Sequence, residues 1–256
     1  KNHLDNCFPL VNSSYHYINK VQIVNNKLKF ISSDCKISSL VNENQFLGYI
    51  GKQNSPKEII LEKNGLKIRL QFDKKDIIGK CDNLNLKDIK VEASLSVIMD
   101  CEDSIVSVDT YDKISTFKNW LGLLDETIKI KVTEDRKSFI RKLNDDLKYI
   151  SANGQISTLK GKSLLLIRNV GHLMTTSSIL DENKNEIGEG LIDTLLTSLC
   201  YLRTIKNSSN SKFKSLYVVK PKMHGPNEVK FSVDTFSIFE KLLSIPKNTI
   251  KIGIMD

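Results

Sequence analysis

The sequence predicts an α/β protein that combines a hairpin-rich region with a region of alternating strands and helices. Between residues 164 and 254, short and continuously apolar strands alternate with helical segments, a pattern typical of a parallel sheet covered on both faces. Between residues 20 and 73, strand-like segments flank Asn-rich turns, which are typical of antiparallel hairpins. At 256 residues, the chain is long enough for one large domain or two small ones.

The composition is that of an ordinary globular protein, with 40% apolar and 27% charged residues. No apolar run approaches the roughly 18 residues of a membrane span, and no signal pattern opens the chain. The five cysteines are scattered without a C-x-x-C pair, which argues against a disulfide framework or a zinc site. We therefore expect a soluble cytoplasmic protein without a membrane partner.

The net charge of +8 is compatible with an anionic partner such as nucleic acid or a phosphorylated cofactor. The lysines, however, are spread over every segment, and both Lys and Asn are abundant throughout. This pattern favours a solvated surface, so we expect no nucleic-acid partner.

Two hairpins are predicted in the first third of the chain. Residues 21–24 and 28–31 flank an Asn25-Asn26 turn, and residues 59–61 and 66–70 flank a turn at 63–65. A helix is then predicted over 86–94.

Further along the chain, the expected order of elements is specific. We expect a strand over 95–99, a helix over 109–124 capped by Asp109, and short strands over 126–160. The remaining elements are a strand at 164–167, a helix at 189–203, a strand at 216–219, a helix at 229–243 and a strand at 250–254. Asp100, Arg168 and Asp256 then fall at the carboxyl ends of strands, where α/β proteins place their chemistry.

The first motif is IMDCEDS at 98–104, which holds three carboxylates within four residues. A cation, an Arg or solvent must compensate such a cluster, so a functional site is one interpretation. The other is helix capping by Asp103 or Ser104.

The second motif is LIRNVGHLM at 166–174. Arg168 follows a buried strand and must find an anion, since a guanidinium keeps its charge. Substrate binding and a salt bridge to the acids at 100–103 are both open. His172 could be a structural hydrogen-bonding residue or a catalyst.

The third motif is VKPKMHGP at 219–226, with Glu228 opening the next helix. Two prolines and a glycine predict a rigid corner between strand and helix, and the role of His224 stays open. The sequence contains no Gly-rich phosphate loop, zinc-protease motif or nucleophile elbow, which argues against those three chemistries.

Taken with GKCD at 79–82, NWLGL at 119–123 and GIMD at 253–256, these motifs resemble the malate synthase G family in the same order. The resemblance implies a partial (β/α)8 TIM barrel with an inserted β-rich α/β domain. It places the barrel at 85–125 and, incompletely, at 163–256, and the insertion at 1–84 and 126–162.

The activity that the resemblance implies is the Claisen condensation of acetyl-CoA with glyoxylate, followed by hydrolysis to malate and CoA. Arg168 matches the catalytic residue that binds glyoxylate, and Ser104 and Arg141 match acetyl-CoA contacts. Asp100 and Glu102 match acids that orient groups near a Mg²⁺ ion without binding it.

By the same resemblance, the Mg²⁺ ligands and the catalytic base are expected after Asp256, and part of the CoA site before Lys1. No metal ligand is therefore expected within the chain, which by itself should be an inactive fragment of a monomeric enzyme. The alternatives are a malyl-CoA or citramalyl-CoA lyase, and a basic binding remnant without activity.

Overall fold

A computed structural model describes residues 1–91, 95–102, 104–134, 137–206 and 210–255. The chain forms two compact units, which are Lys1–Ala93 with Asp146–Lys160 and Ser94–Asp145 with Gly161–Asp256. Compactness does not test which residues belong to a barrel or to an insertion, so the predicted domain boundaries stay a prediction.

The elements are numbered along the chain. The helices are α1 (Asn2–Cys7), α2 (Ile77–Lys80), α3 (Thr110–Leu124), α4 (Glu189–Thr204) and α5 (Pro226–Leu242). The strands are β1 (Ile18–Val24), β2 (Lys27–Ser32), β3 (Ile37–Ser38), β4 (Phe46–Lys52), β5 (Ser55–Lys63), β6 (Leu66–Phe72), β7 (Leu86–Val91), β8 (Ser96–Asp100), β9 (Lys129–Glu134), β10 (Lys137–Lys142), β11 (Leu147–Ser151), β12 (Ile156–Leu159), β13 (Leu164–Arg168), β14 (Thr175–Leu180), β15 (Glu186–Gly188), β16 (Leu216–Lys220) and β17 (Ile250–Ile254).

The first unit is built on antiparallel sheets. One has the order β1-β2-β3 and the other has the order β12-β11-β4-β5-β6-β7. Strand residues such as Phe30, Ile59, Leu61 and Leu70 are fully buried in its apolar core. Burial of these side chains is the main stabilising contribution, at roughly 1.5–3 kcal/mol for each.

Both predicted hairpins of the first unit are confirmed. Asn25 and Asn26 have φ angles of 50° and 61°, and Asn64 and Gly65 have φ angles of 53° and 80°. Asn and Gly tolerate this left-handed region better than other residues, and two such residues in succession match the twist of the flanking strands.

The predicted helix over 86–94 is wrong where the chain is described, because Leu86–Val91 is strand β7. It pairs antiparallel with β6, for example Ile89 with Leu70. The apolar residues Leu86, Ile89 and Val91 fit a short helix and a short strand about equally well, so the open edge of β6 decides the conformation.

The second unit has a four-stranded parallel sheet in the order β17-β16-β13-β8, which confirms the predicted parallel sheet. The predicted helices correspond to α3, α4 and α5, and α3 is capped by Asp109 as expected. Trp120, Ile167, Tyr201 and Val218 form its buried core. The fold is mixed α/β, and the strands of the described residues do not close into a barrel.

Two antiparallel strand pairs, β9–β10 and β14–β15, belong to the same unit. The second pair was not predicted. Across the described ranges, no helix is long and apolar enough to cross a bilayer. All five cysteines are free thiols.

Candidate functional site

Arg168 and Asp100 end two neighbouring parallel strands, β13 and β8, and are directly paired in register. The Arg168 Nε donates to Asp100 Oδ1 at 2.7 Å, and Nη2 donates to Oδ2. This bidentate geometry fixes the plane of the guanidinium as well as its position. Of the two open interpretations of Arg168, the salt bridge to the acidic motif is therefore present, and substrate binding stays a prediction.

Asp100 also accepts hydrogen bonds from the loop that follows it. The backbone N–H of Glu102 donates to Oδ1 at 2.9 Å, and that of Ser104 donates to Oδ2 at 2.8 Å. The Arg168 guanidinium holds the pKa of the Asp100 carboxyl well below its ordinary range, although burial opposes this. Asp100 is therefore ionised at neutral pH and stays paired with Arg168.

The alternative of helix capping by Ser104 is wrong, because the next helix begins at Thr110 and its cap is Asp109. The side chain of Asp109 accepts from the Asp112 N–H at 3.0 Å. The other candidate cap, Asp103, lies outside the described residues, and so does Asp256, which is predicted to follow the last strand.

Glu102 connects two of the strand-end loops. Its Oε1 accepts from the Gly171 N–H and from Lys222 Nζ, both at 3.2 Å. Its Oε2 is buried and has no hydrogen-bond partner among the described residues. A buried carboxylate oxygen in this state is available to a water or another donor that enters the site.

The loop after Arg168 is also held from the side of β16 and α4. Val170 donates its N–H to Asp193 Oδ2 at 3.1 Å, and its carbonyl accepts from Lys220 Nζ at 2.6 Å. The Asn169 side chain donates to Thr194 Oγ1 at 3.0 Å. Asp193 and Lys220 thus fix the backbone of Val170, and Thr194 fixes the side chain of Asn169.

Lys113 on α3 completes this arrangement, because its ammonium lies 2.8 Å from Asp193 Oδ1 and also contacts Glu189. Burial acts to lower the pKa of Lys113, but the two carboxylates outweigh it and the pKa is raised. Burial raises the pKa of Asp193, and Lys113 opposes that shift. Burial lowers the pKa of Lys220.

Lys113, Asp193 and Lys220 also contribute to the site, although none of them is a predicted site residue. Lys220 carried a usable signal, because it ends β16 just as Arg168 ends β13. Lys113 lies one turn before Phe117 on the buried face of α3, where a lysine requires an acidic partner. Nothing local indicates that this partner is Asp193.

His172 forms a hydrogen bond of 2.9 Å between Nε2 and Ser232 Oγ, and its ring packs edge-on against Phe231. It lines a cleft of about 430 Å³ together with Lys220 and residues of α5. Burial and the nearby Lys220 lower the pKa of His172. These contacts favour the structural interpretation of this histidine.

The third motif forms the predicted corner between β16 and α5. Gly225 has a φ angle of 91° and precedes Pro226, the first residue of α5. The backbone N–H of His224 donates to Glu228 Oε2 at 2.8 Å in the first turn of the helix. This backbone contact of His224 helps to fix the corner between β16 and α5.

Arg141 lies on the exposed β9–β10 ribbon. The contacts found for its guanidinium are with Glu134, at 3.8 Å, and with the ring of Phe139. The structure thus groups Asp100, Glu102, Ser104 and Arg168 by direct hydrogen bonds and does not link Arg141 to them. The acetyl-CoA contacts of Ser104 and Arg141 stay predictions.

Among the residues that the structure describes, no group of three His, Cys, Asp or Glu side chains is placed to hold a metal ion. The oxygens of Asp100 already accept from Arg168 and from two backbone N–H groups. The described residues therefore do not fit a complete Mg²⁺ site.

Two families of known proteins match separate parts of the chain. Residues 1–63 match the malate synthase G alpha-beta insertion domain. Residues 164–256 match the malate synthase TIM barrel domain.

Curated relatives match over the whole chain. Malate synthase G of Halalkalibacterium halodurans is 41% identical over 259 residues, which cover 100% of this chain and 36% of the relative. The proteins of the same name from Corynebacterium glutamicum and Corynebacterium efficiens are each 41% identical, over 99% of this chain and 34% of the relative. The chain thus spans about a third of the length of these relatives. It belongs to the malate synthase G family and contains sequence of both the α/β insertion domain and the TIM-barrel domain.

Proposed function

We propose that the complete gene product condenses acetyl-CoA with glyoxylate and hydrolyses the resulting thioester to malate and CoA. The observation that carries this proposal is the bidentate pair of Arg168 and Asp100 at the carboxyl ends of two parallel strands. Such strand ends are where α/β barrels bind substrates. Membership of the malate synthase G family supplies the class of reaction.

Arg168 is proposed to bind glyoxylate and to stabilise the negative charge that develops on its aldehyde oxygen. A guanidinium keeps its positive charge throughout the reaction, so no proton transfer is needed to stabilise the oxyanion. Asp100 holds Nε and Nη2 in one plane before substrate arrives. Such preorganisation lowers the reorganisation that accompanies the reaction.

The reaction balances without a redox partner. A base outside this chain removes a methyl proton from acetyl-CoA, and the enolate carbon forms a bond to the aldehyde carbon of glyoxylate. The aldehyde oxygen takes the displaced electron pair and then a proton. Water cleaves the thioester, which releases malate and CoA. Ser104 and Arg141 are proposed to contact acetyl-CoA, Arg141 from the exposed β9–β10 ribbon.

Mg²⁺ is proposed as the cofactor of the complete protein, with its ligands outside the described residues. When bound, it would polarise the aldehyde as a Lewis acid. Glu102 Oε2, which has no hydrogen-bond partner among the described residues, would accept a hydrogen bond from a water in the site. A monomer in the cytoplasm is the proposed state of the enzyme.

The proposal is tested by assaying the complete gene product for CoA release from acetyl-CoA, with and without glyoxylate, and by identifying the organic acid formed. We expect glyoxylate-dependent CoA release with malate as the product. Cleavage of malyl-CoA without thioester hydrolysis would replace this function with that of a lyase. Absence of both activities, together with salt-dependent binding of nucleic acid, would support a basic binding protein.

The same assay on the isolated chain gives a matched comparison. We expect no turnover from it, because the base and the metal ligands are expected elsewhere in the gene product. Glyoxylate-dependent CoA release by the isolated chain would show that this expectation is wrong.

A further inference from the structure

We propose that Lys113, Asp193 and Lys220 form a buried ionic network whose role is to position Arg168 for the reaction. This inference rests on the proposed function, because it assigns positioning residues for that reaction. None of the three side chains contacts the Arg168 guanidinium in the described structure. They would act through the backbone of Val170, two residues after Arg168.

The network holds both polar backbone groups of Val170. Asp193 Oδ2 accepts its N–H at 3.1 Å, and Lys220 Nζ donates to its carbonyl at 2.6 Å. Glu102, in the loop after β8, accepts the Gly171 N–H at 3.2 Å, so residues 170 and 171 are held by side chains from different elements. A shift of this segment would carry Arg168 with it, because only Asn169 separates Arg168 from Val170.

The three charged side chains of the network are buried, and burying a charge has an energetic cost. Asp193 is 0% exposed, Lys220 2% and Lys113 8%. Buried ions destabilise a fold unless they are paired, and neutral hydrogen-bonding side chains could satisfy the same backbone groups at lower cost. Charged partners make shorter and more directional hydrogen bonds, so the network gains geometric definition at the expense of stability.

Gly190 provides an independent observation, because it leaves space for the Lys220 ammonium. A Cβ at position 190 would lie 2.8 Å from Lys220 Nζ and 3.3 Å from the Val170 carbonyl oxygen. Gly190 is in the first turn of α4, where no positive φ angle explains a glycine. The close approach of Lys220 to this helix accounts for the residue.

The first test compares Gly190→Ala with Gly122→Ala in the complete gene product. Both glycines are helical, but a Cβ at 122 meets only ordinary contacts, with Ile128 Cβ nearest at 3.4 Å. Alanine has the higher helix propensity, so neither variant should unfold the helix that contains it. We expect Gly190→Ala to lower kcat about tenfold or more, with the KM for acetyl-CoA within about twofold, and Gly122→Ala to leave both unchanged.

The second test uses Asp193→Ala and measures the effect of the network on the Val170 amide, independently of enzymatic activity. Hydrogen exchange of the Val170 amide should become faster than in the parent, because the N–H loses its acceptor. Asp193→Asn, which keeps an oxygen acceptor, should restore part of both the protection and the kcat. This rescue by the conservative variant would not be expected of a residue that only contributes to folding.

The outcomes separate this inference from the proposed function. If the parent protein has no malate synthase activity, the proposed function fails and the positioning role fails with it, whatever the exchange data show. If the parent is active and folded Gly190→Ala keeps its kcat within about twofold, the positioning role alone is overturned. Unchanged Val170 exchange in folded Asp193→Ala would also overturn it.

Discussion

The two compact units differ in what they bury. In the first, the buried polar side chains found among the described residues are the uncharged Ser32, Ser38, Gln45 and Gln71. The second buries Lys113, Asp193, Lys220 and Glu240. Buried charge costs stability, so its presence in the unit that carries Arg168 indicates that local geometry there is maintained against a stability penalty. The first unit is held by apolar burial without that penalty.

The largest expected effect on stability is that of Lys113→Met. The substitution leaves Asp193 buried without its cation, which should reduce the free energy of unfolding by about 3–5 kcal/mol. Hydrogen exchange of the β13 amides in the complete protein would report the loss locally. The double variant Lys113→Met with Asp193→Asn should recover part of it, because the uncompensated charge is removed. If the single and double variants lost the same free energy of unfolding, the proposed stability cost of buried charge in the second unit would be contradicted.

A smaller and pH-dependent effect is expected at Asp100. Its pKa in the folded protein is depressed, chiefly by Arg168, so its stabilising contribution is fully present above the unfolded pKa of about 3.9. This contribution is lost as the pH falls from there through the folded pKa. The difference in unfolding free energy between the parent and Asp100→Asn should therefore shrink below about pH 4. Urea unfolding from pH 7 to 3 measures it, and a difference independent of pH would contradict the ion pair.

The smallest effect is expected in the first unit, at Gly65→Ala. A Cβ there meets no atom within 4 Å, so the cost is backbone strain at a φ angle of +80°. We expect about 1 kcal/mol of lost stability in the β5–β6 hairpin, with no change in kcat of the complete enzyme. Hydrogen exchange of the hairpin amides, together with the CoA-release assay, would check both parts. A fall in kcat would show that the two units are coupled.

Much of the fold was predictable because its signals are local. Asn25, Asn26, Asn64 and Gly65 indicate hairpin turns by their own conformational preferences. After residue 164, the continuous apolar runs of the strands and the helical spacing of apolar residues can be recognised in the sequence itself. The conformation of segment 86–91 could not be predicted in this way, because it depends on pairing with β6, which is a long-range contact.

The site divides in the same way. The placement of Arg168 and Asp100 at strand ends followed from chain order, and a parallel sheet brought them together. The connection of Lys113 to Asp193 joins residues 80 positions apart on two helices, and no local pattern specifies that packing. The position of Arg141 relative to Arg168 likewise depends on tertiary structure.

The most direct test of the central claim is the kcat of Arg168→Lys in the complete gene product, measured with acetyl-CoA and glyoxylate at saturation. A lysine keeps the positive charge but cannot reproduce the bidentate pairing with Asp100. We predict a fall in kcat of about 100-fold or more, the magnitude typical of losing one preorganised donor to a developing oxyanion. A folded variant with near-parental kcat would contradict the proposed role of Arg168 in stabilising the negative charge that develops on the aldehyde oxygen.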